Sequence, residues 1–114
     1  RLGFGPRRIY LQGGFEGSGP VSTVRAYNPV LDSWCEVASM ATKRCNHAAA
    51  ALGGKLYVMG GLTWGHDGRT TLAKAEVYDP KADSWQPLPS MPTARHSLAA
   101  VAVAGKIYAI GGVH

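Results

Sequence analysis

The stretch HAAAALGGKLYVMGG, His47 to Gly61, sets two signals against each other. Its alanine run favours a helix by intrinsic propensity. The LYVM that follows is short, aromatic and β-branched between glycines, the pattern of a buried strand. A second stretch, SLAAVAVAGKIYAIGG, Ser97 to Gly112, resolves the conflict. There the alanines alternate with valines, which suits a strand. Each stretch therefore reads as two short strands joined by a tight turn, at Gly53-Gly54 in the first.

The two stretches belong to a longer repeat. Tyr27-Asn-Pro returns as Tyr78-Asp-Pro, an offset of 78 − 27 = 51. Asp32-Ser-Trp34 returns as Asp83-Ser-Trp85, Thr42-x-Arg44 as Thr93-x-Arg95, Tyr57 as Tyr108, and Gly60-Gly61 as Gly111-Gly112. Between 24–61 and 75–112, 17 of 38 positions are identical without a gap, far beyond chance for this period. RIYLQGG, which ends at Gly13-Gly14, is an earlier copy of KLYVMGG at an offset of 60 − 13 = 47. The four-residue difference lies between the glycine pair and the tyrosine, so that segment varies in length and reads as a surface loop.

Each repeat reads as four strands. The first is expected near 46–52 and again near 97–103. The second is expected at 55–60, with copies at 8–13 and 106–111. The third is expected at 73–79 and 22–28, the fourth at 84–88 and 33–38. Asp79-Pro80 and the residues up to Asp83 form the turn between the last two. Four antiparallel strands recurring every 47 to 51 residues fit the blades of a propeller. Blades taper inward, so the innermost strand takes alanines. The second strand, covered on both faces, is apolar throughout rather than alternating. Trp34 and Trp85 on the outer strand are expected to fill the wide gap between blades, and Tyr57 and Tyr108 to lie in the core.

Length and composition agree with this reading. A chain of 114 residues, 46% hydrophobic and with 15 glycines and 7 prolines, favours many short strands in one all-β unit. No apolar run reaches the roughly 18–20 residues of a membrane span. The net charge of +5 is scattered, without a basic helix or a basic–aromatic strand, so neither nucleic acid nor membrane is the expected partner. Cys35 and Cys45 fall on an outer strand and beside the axis of the next blade, too far apart to pair. Two reduced thiols suit a cytoplasmic protein.

The glycine pair, the spaced tyrosine and tryptophan, and the Met-x-x-x-Arg leading into the next first strand resemble the Kelch motif. YDPKADSW and MPTARH are most similar to the Kelch domains of BTB–BACK–Kelch adaptors. The resemblance implies an all-β Kelch propeller fragment: a partial blade at 1–38, a complete blade at 46–88 and the start of another at 97–112. Residues Arg1 to Gly5 would align with a first strand. The resemblance also implies a protein-interaction module, the substrate-recognition part of a cullin-RING ubiquitin ligase adaptor. Cullin would then be reached through a BTB region outside this segment. The alternatives are a Kelch enzyme or carbohydrate-binding protein, bacterial or exported, and an actin-binding Kelch protein.

In Kelch adaptors the binding surface is the face that carries the loops after the second strand and those leading into the first. Its positions here are Phe15, Glu16 and Ser18, then Leu62, Thr63, Trp64, His66, Asp67 and Arg69, with Cys45, Asn46, His96 and Ser97 in the lead-ins. Trp64, in a glycine-flanked loop away from the repeat's core, and Arg69 are the foremost candidates, because tryptophan and arginine dominate binding hot spots. A basic rim would favour an acidic peptide. Arg44 and Arg95 recur and are expected to bond backbone carbonyls near the axis. Cys45-x-His47 and His66-Asp67 lack a second pair at zinc-like spacing, so no metal is expected. No nucleophile–base–acid set or phosphate loop can be named, so neither an enzyme nor a cofactor is expected.

Overall fold

A computed structural model describes residues 8–17, 19–65 and 68–114. The segment Arg1 to Gly5, expected as a first strand, lies outside the described residues. Thirteen strands, numbered in chain order, and no helix make up the described residues. The central blade has the order β6 (Ala48–Leu52), β7 (Lys55–Met59), β10 (Ala75–Asp79), β11 (Ser84–Leu88), all antiparallel. Before it stand β1 (Ile9–Gln12), β4 (Val24–Asn28) and β5 (Ser33–Val37) in one sheet. After it comes the hairpin of β12 (Ala99–Val103) and β13 (Lys106–Ile110).

The alanine run is strand β6. Gly53 and Gly54, at φ 60° and 78°, close the two-residue turn to β7, with Leu52 opposite Lys55. Both central residues of that turn need positive φ, which glycine supplies without a steric cost. In the next copy Ala104 occupies the first turn position at φ 51°.

Coverage follows the stacking of blades. In β7, Leu56 and Val58 point into a cluster with Val24, Met40 and Tyr78 at the boundary with the first blade. Met59 and Tyr57 join Ala48 and Leu98 at the boundary with the third. Both faces of β7 are thus covered, and its sequence is apolar on both. In β13, Ile107 and Ala109 pack on the central blade while Tyr108 and Ile110 are exposed. Tyr108, expected in the core, is 50% exposed because no described residue covers that side of β13.

Trp85 fills the inter-blade gap, packed against the first cluster. Trp34, its copy, is 52% exposed rather than wedged, because no described blade precedes it. It contacts Tyr27, with ring centroids 5.1 Å apart.

The segment leading into the central blade is tied to that blade by buried charge. Arg44 is fully buried, and its Nη1 donates to the carbonyls of Gly60 at 2.9 Å and Lys74 at 3.0 Å. Its Nη2 meets Glu76 Oε2 at 3.0 Å, and Glu76 Oε1 accepts from Ala41 N at 2.9 Å. Burial lowers the arginine's pKa, and Glu76 opposes that shift. In the third blade Arg95 Nη1 donates to Gly111 O at 2.8 Å.

Candidate interaction surface

The segments that follow β1 and β7 are read from sequence as loops; the structure folds them into hairpins. After β1 come β2 (Phe15–Glu16) and β3 (Gly19–Pro20), and after β7 come β8 (Leu62–Gly65) and β9 (Gly68–Thr71). The signal for the second was present in the sequence. Glycines stand at 65 and 68, and Leu62-Thr-Trp and Arg69-Thr-Thr flank them with β-branched and aromatic residues, the pattern of two short strands.

The two hairpins meet through aromatic rings. Phe15 and Trp64 have centroids 5.3 Å apart. Arg69, paired with Trp64 in the ladder, places its guanidinium carbon 5.3 Å from the Trp64 ring centre. A cation at this distance is held by the ring's negative face. Phe15, Glu16 and Arg69 are exposed and Trp64 half-buried. Beside this stack, Glu16, Gly19, Pro20, Val21, Lys43, Trp64 and Gly65 line an open cleft of about 400 Å³. Arg25 reaches Glu16 at 3.8 Å and Glu36 at 3.9 Å, both exposed contacts.

The lead-in residues support the same face. Cys45 and Leu62 exchange backbone hydrogen bonds of 3.0 and 2.8 Å, seating the second hairpin on the lead-in. Cys45 was expected to contact a partner, but it is only 6% exposed, so its side chain is withdrawn beneath the surface. Burial pushes its thiol pKa up, with Arg69 opposing. Cys35 and Cys45 are both free thiols. Asn46 is exposed, and its carbonyl accepts from Ser97 N at 2.7 Å, joining two successive lead-ins. His96 Nδ1 lies 3.1 Å from Ser97 Oγ. Leu62 is half-buried at the base of its hairpin. Ser18, His66 and Asp67 lie outside the described residues. Among the described residues no three of His, Cys, Asp and Glu converge as metal ligands would.

Glu76 is a functional residue without a signal in the sequence. Its repeat counterpart is Arg25, so it left no recurring mark, yet it anchors Arg44 and Ala41 beneath the hairpin face.

The Kelch motif family matches residues 3–41 and 43–92. This chain belongs to the Kelch-repeat family. An F-box/kelch-repeat protein of Arabidopsis thaliana is 45% identical over 84 residues, covering 74% of this chain and 18% of that protein. Kelch-like ECH-associated protein 1B of Danio rerio is 35% identical over 109 residues, 96% of this chain and 18% of its own length. Kelch-like protein 35 of Mus musculus is 33% identical over 106 residues, 93% of this chain and 18% of its own. The solved structure of YjhT superposes with a TM-score of 0.74 at 21% identity, over 94% of this chain and 34% of that one. The chain thus spans less than a fifth of the relatives it matches in sequence, and its fold is that of Kelch propeller blades. Kelch repeats in such relatives support a protein-interaction module.

Proposed function

We propose that these Kelch blades receive a protein or peptide partner on the hairpin face. The observation that carries this reading is the stack of Phe15, Trp64 and Arg69 beside the cleft between two hairpins. Core packing does not require it, since the inter-blade clusters are complete without these residues. Lys43 at the cleft and Arg69 on the stack favour an acidic segment in the partner. The finer reading is a substrate receptor of a cullin-RING ubiquitin ligase, with the cullin held through a BTB region elsewhere in the protein and the complex in the cytoplasm. Its support is the likeness to Kelch-like and F-box/kelch-repeat proteins, and no enzymatic step is assigned to these residues.

The test is affinity capture by the parent protein and its Trp64→Ala/Arg69→Ala variant, identified by mass spectrometry. Loss of specific partners with an unchanged unfolding midpoint supports the hairpin face. Unchanged capture removes the site from these residues. Co-purification of a cullin tests the ligase reading separately. Filament co-sedimentation and metal content of the parent protein distinguish the actin-binding and enzymatic alternatives.

A further inference from the structure

The described residues contain two boundaries between blades, and their backbone seats match. Gly14 N donates to Arg44 O and Gly61 N to Arg95 O, both at 2.9 Å. A Cβ built on Gly13 would meet Arg44 O at 2.5 Å, and one on Gly60 would meet Arg95 O at 2.5 Å. One pair of side chains differs in kind across these matched seats.

At the first boundary, His47 Nε2 lies 3.2 Å from Oε1 of Gln12, the last residue of β1. With its proton on Nε2 the ring donates to the Gln12 oxygen, so this pair supplies the one side-chain hydrogen bond His47 makes, while its buried Nδ1 has no partner among the described residues. At the second boundary the repeat offsets put Met59 in place of Gln12 (12 + 47) and Leu98 in place of His47 (47 + 51). Met59 and Leu98 are both buried in the apolar cluster there. Both members have changed together, polar facing polar at one seam and apolar facing apolar at the other.

We infer that these two repeat positions form a recognition key that decides which blade docks on which face. The face of the first blade accepts a blade whose third residue after the arginine can hydrogen-bond, as in Arg44-Cys-Asn-His47. The face of the central blade accepts one whose residue there is apolar, as in Arg95-His-Ser-Leu98. Crossed docking would bury His47 against Met59 or Gln12 against Leu98, leaving a polar group without a partner. Each crossed contact should weaken docking about ten-fold or more. The key also states what the exposed side of β13 fits. Ile110 stands at the Met59 position (59 + 51), beside exposed Tyr108, Val101 and Val103. Its partner is a Kelch blade with an apolar residue three places after its arginine.

The test exchanges the key without changing composition. Chemical denaturation is measured for the chain, for His47→Leu/Leu98→His, and for the same variant with Gln12→Met/Met59→Gln added. The first variant mismatches both seams, and its unfolding constant should rise about a hundred-fold. The second moves each matched pair to the other seam and should return to within about ten-fold of the original. If the first variant does not fold and the second does, the key is equally supported. The inference is overturned if the four-residue variant is no more stable than the two-residue one, or if the two-residue exchange costs nothing.

Discussion

Trp85 holds Ala38 across the boundary between two blades. The indole N–H donates to the Ala38 carbonyl at 2.8 Å, while Asp83 Oδ1 accepts the Ala38 N–H at 2.9 Å. The Asp-Ser-Trp sequence is therefore a clamp that takes both polar groups of one peptide position in the preceding blade. Tyr78 steadies the carboxylate by donating to Asp83 Oδ1 at 2.7 Å. The hydrogen bonds from Ala38 and Tyr78 hold the Asp83 pKa below its ordinary value.

Trp85→Phe should cost about 1 kcal/mol, the worth of the lost hydrogen bond, and Trp85→Ala about 3–5 kcal/mol. Trp34→Ala should cost much less in this chain, because Trp34 has no described blade to clamp. Urea denaturation of the three variants checks the order.

Arg44 and Glu76 are a buried ion pair whose members also serve the backbone. Removing one partner leaves an uncompensated charge in the interior. Glu76→Gln and Arg44→Met should each cost about 3–5 kcal/mol. Joint replacement by Met and Leu should recover only part of that, since the carbonyls of Gly60 and Lys74 and the Ala41 N–H lose their partners too. A double-mutant cycle on denaturation midpoints reads the coupling directly.

Ala104 stands where its copy has Gly53, in a left-handed conformation at φ 51°. Ala104→Gly should stabilise the chain by about 0.5–1 kcal/mol, relief of strain partly offset by the greater freedom of unfolded glycine. Gly60→Ala should do the reverse. At φ 69° its new Cβ would sit 2.5 Å from Arg95 O, so a loss of about 3 kcal/mol or outright misfolding is expected. Thermal melts of both variants give the signs.

His47 makes stability depend on pH. Burial first, then the Arg44 guanidinium, pushes its pKa down from 6.5 to about 4, with the hydrogen bond to Gln12 opposing. The folded ring stays neutral while the unfolded ring takes up a proton. Stability from this group is complete above about pH 6.5 and should fall by about 1.4 kcal/mol per pH unit towards pH 4. His47→Gln should flatten that part of the pH–stability curve. An unchanged slope in the variant would place the dependence elsewhere.

What recurs in the sequence was legible, and much of what does not recur was hidden. The strands around Tyr57, Trp85 and the glycine pairs follow from one period, because each blade solves the same packing problem. The hairpins do not follow from that period, because their length differs between copies, although Gly65 and Gly68 with their β-branched neighbours marked the second. Glu76 was invisible for a similar reason, since its counterpart Arg25 has the opposite charge. The burial of Cys45 was beyond reach from spacing alone. It depends on the second hairpin folding back over the lead-in, a contact made by backbone atoms of Leu62. Trp64 stood out as a tryptophan outside the repeat, but its neighbour Phe15 comes from another blade and could be joined to it only in three dimensions.

The tie between Ala41, Arg44 and Glu76 sets the smallest piece of this chain that can be transplanted. By sequence the central blade begins at about residue 46, but its own glutamate and glycine carbonyl grip the chain several residues earlier. A graft cut at 46–88 would leave Glu76 buried with no arginine to meet it. One cut at 41–88 carries its anchor along, and only that piece would travel between propellers as an interchangeable module.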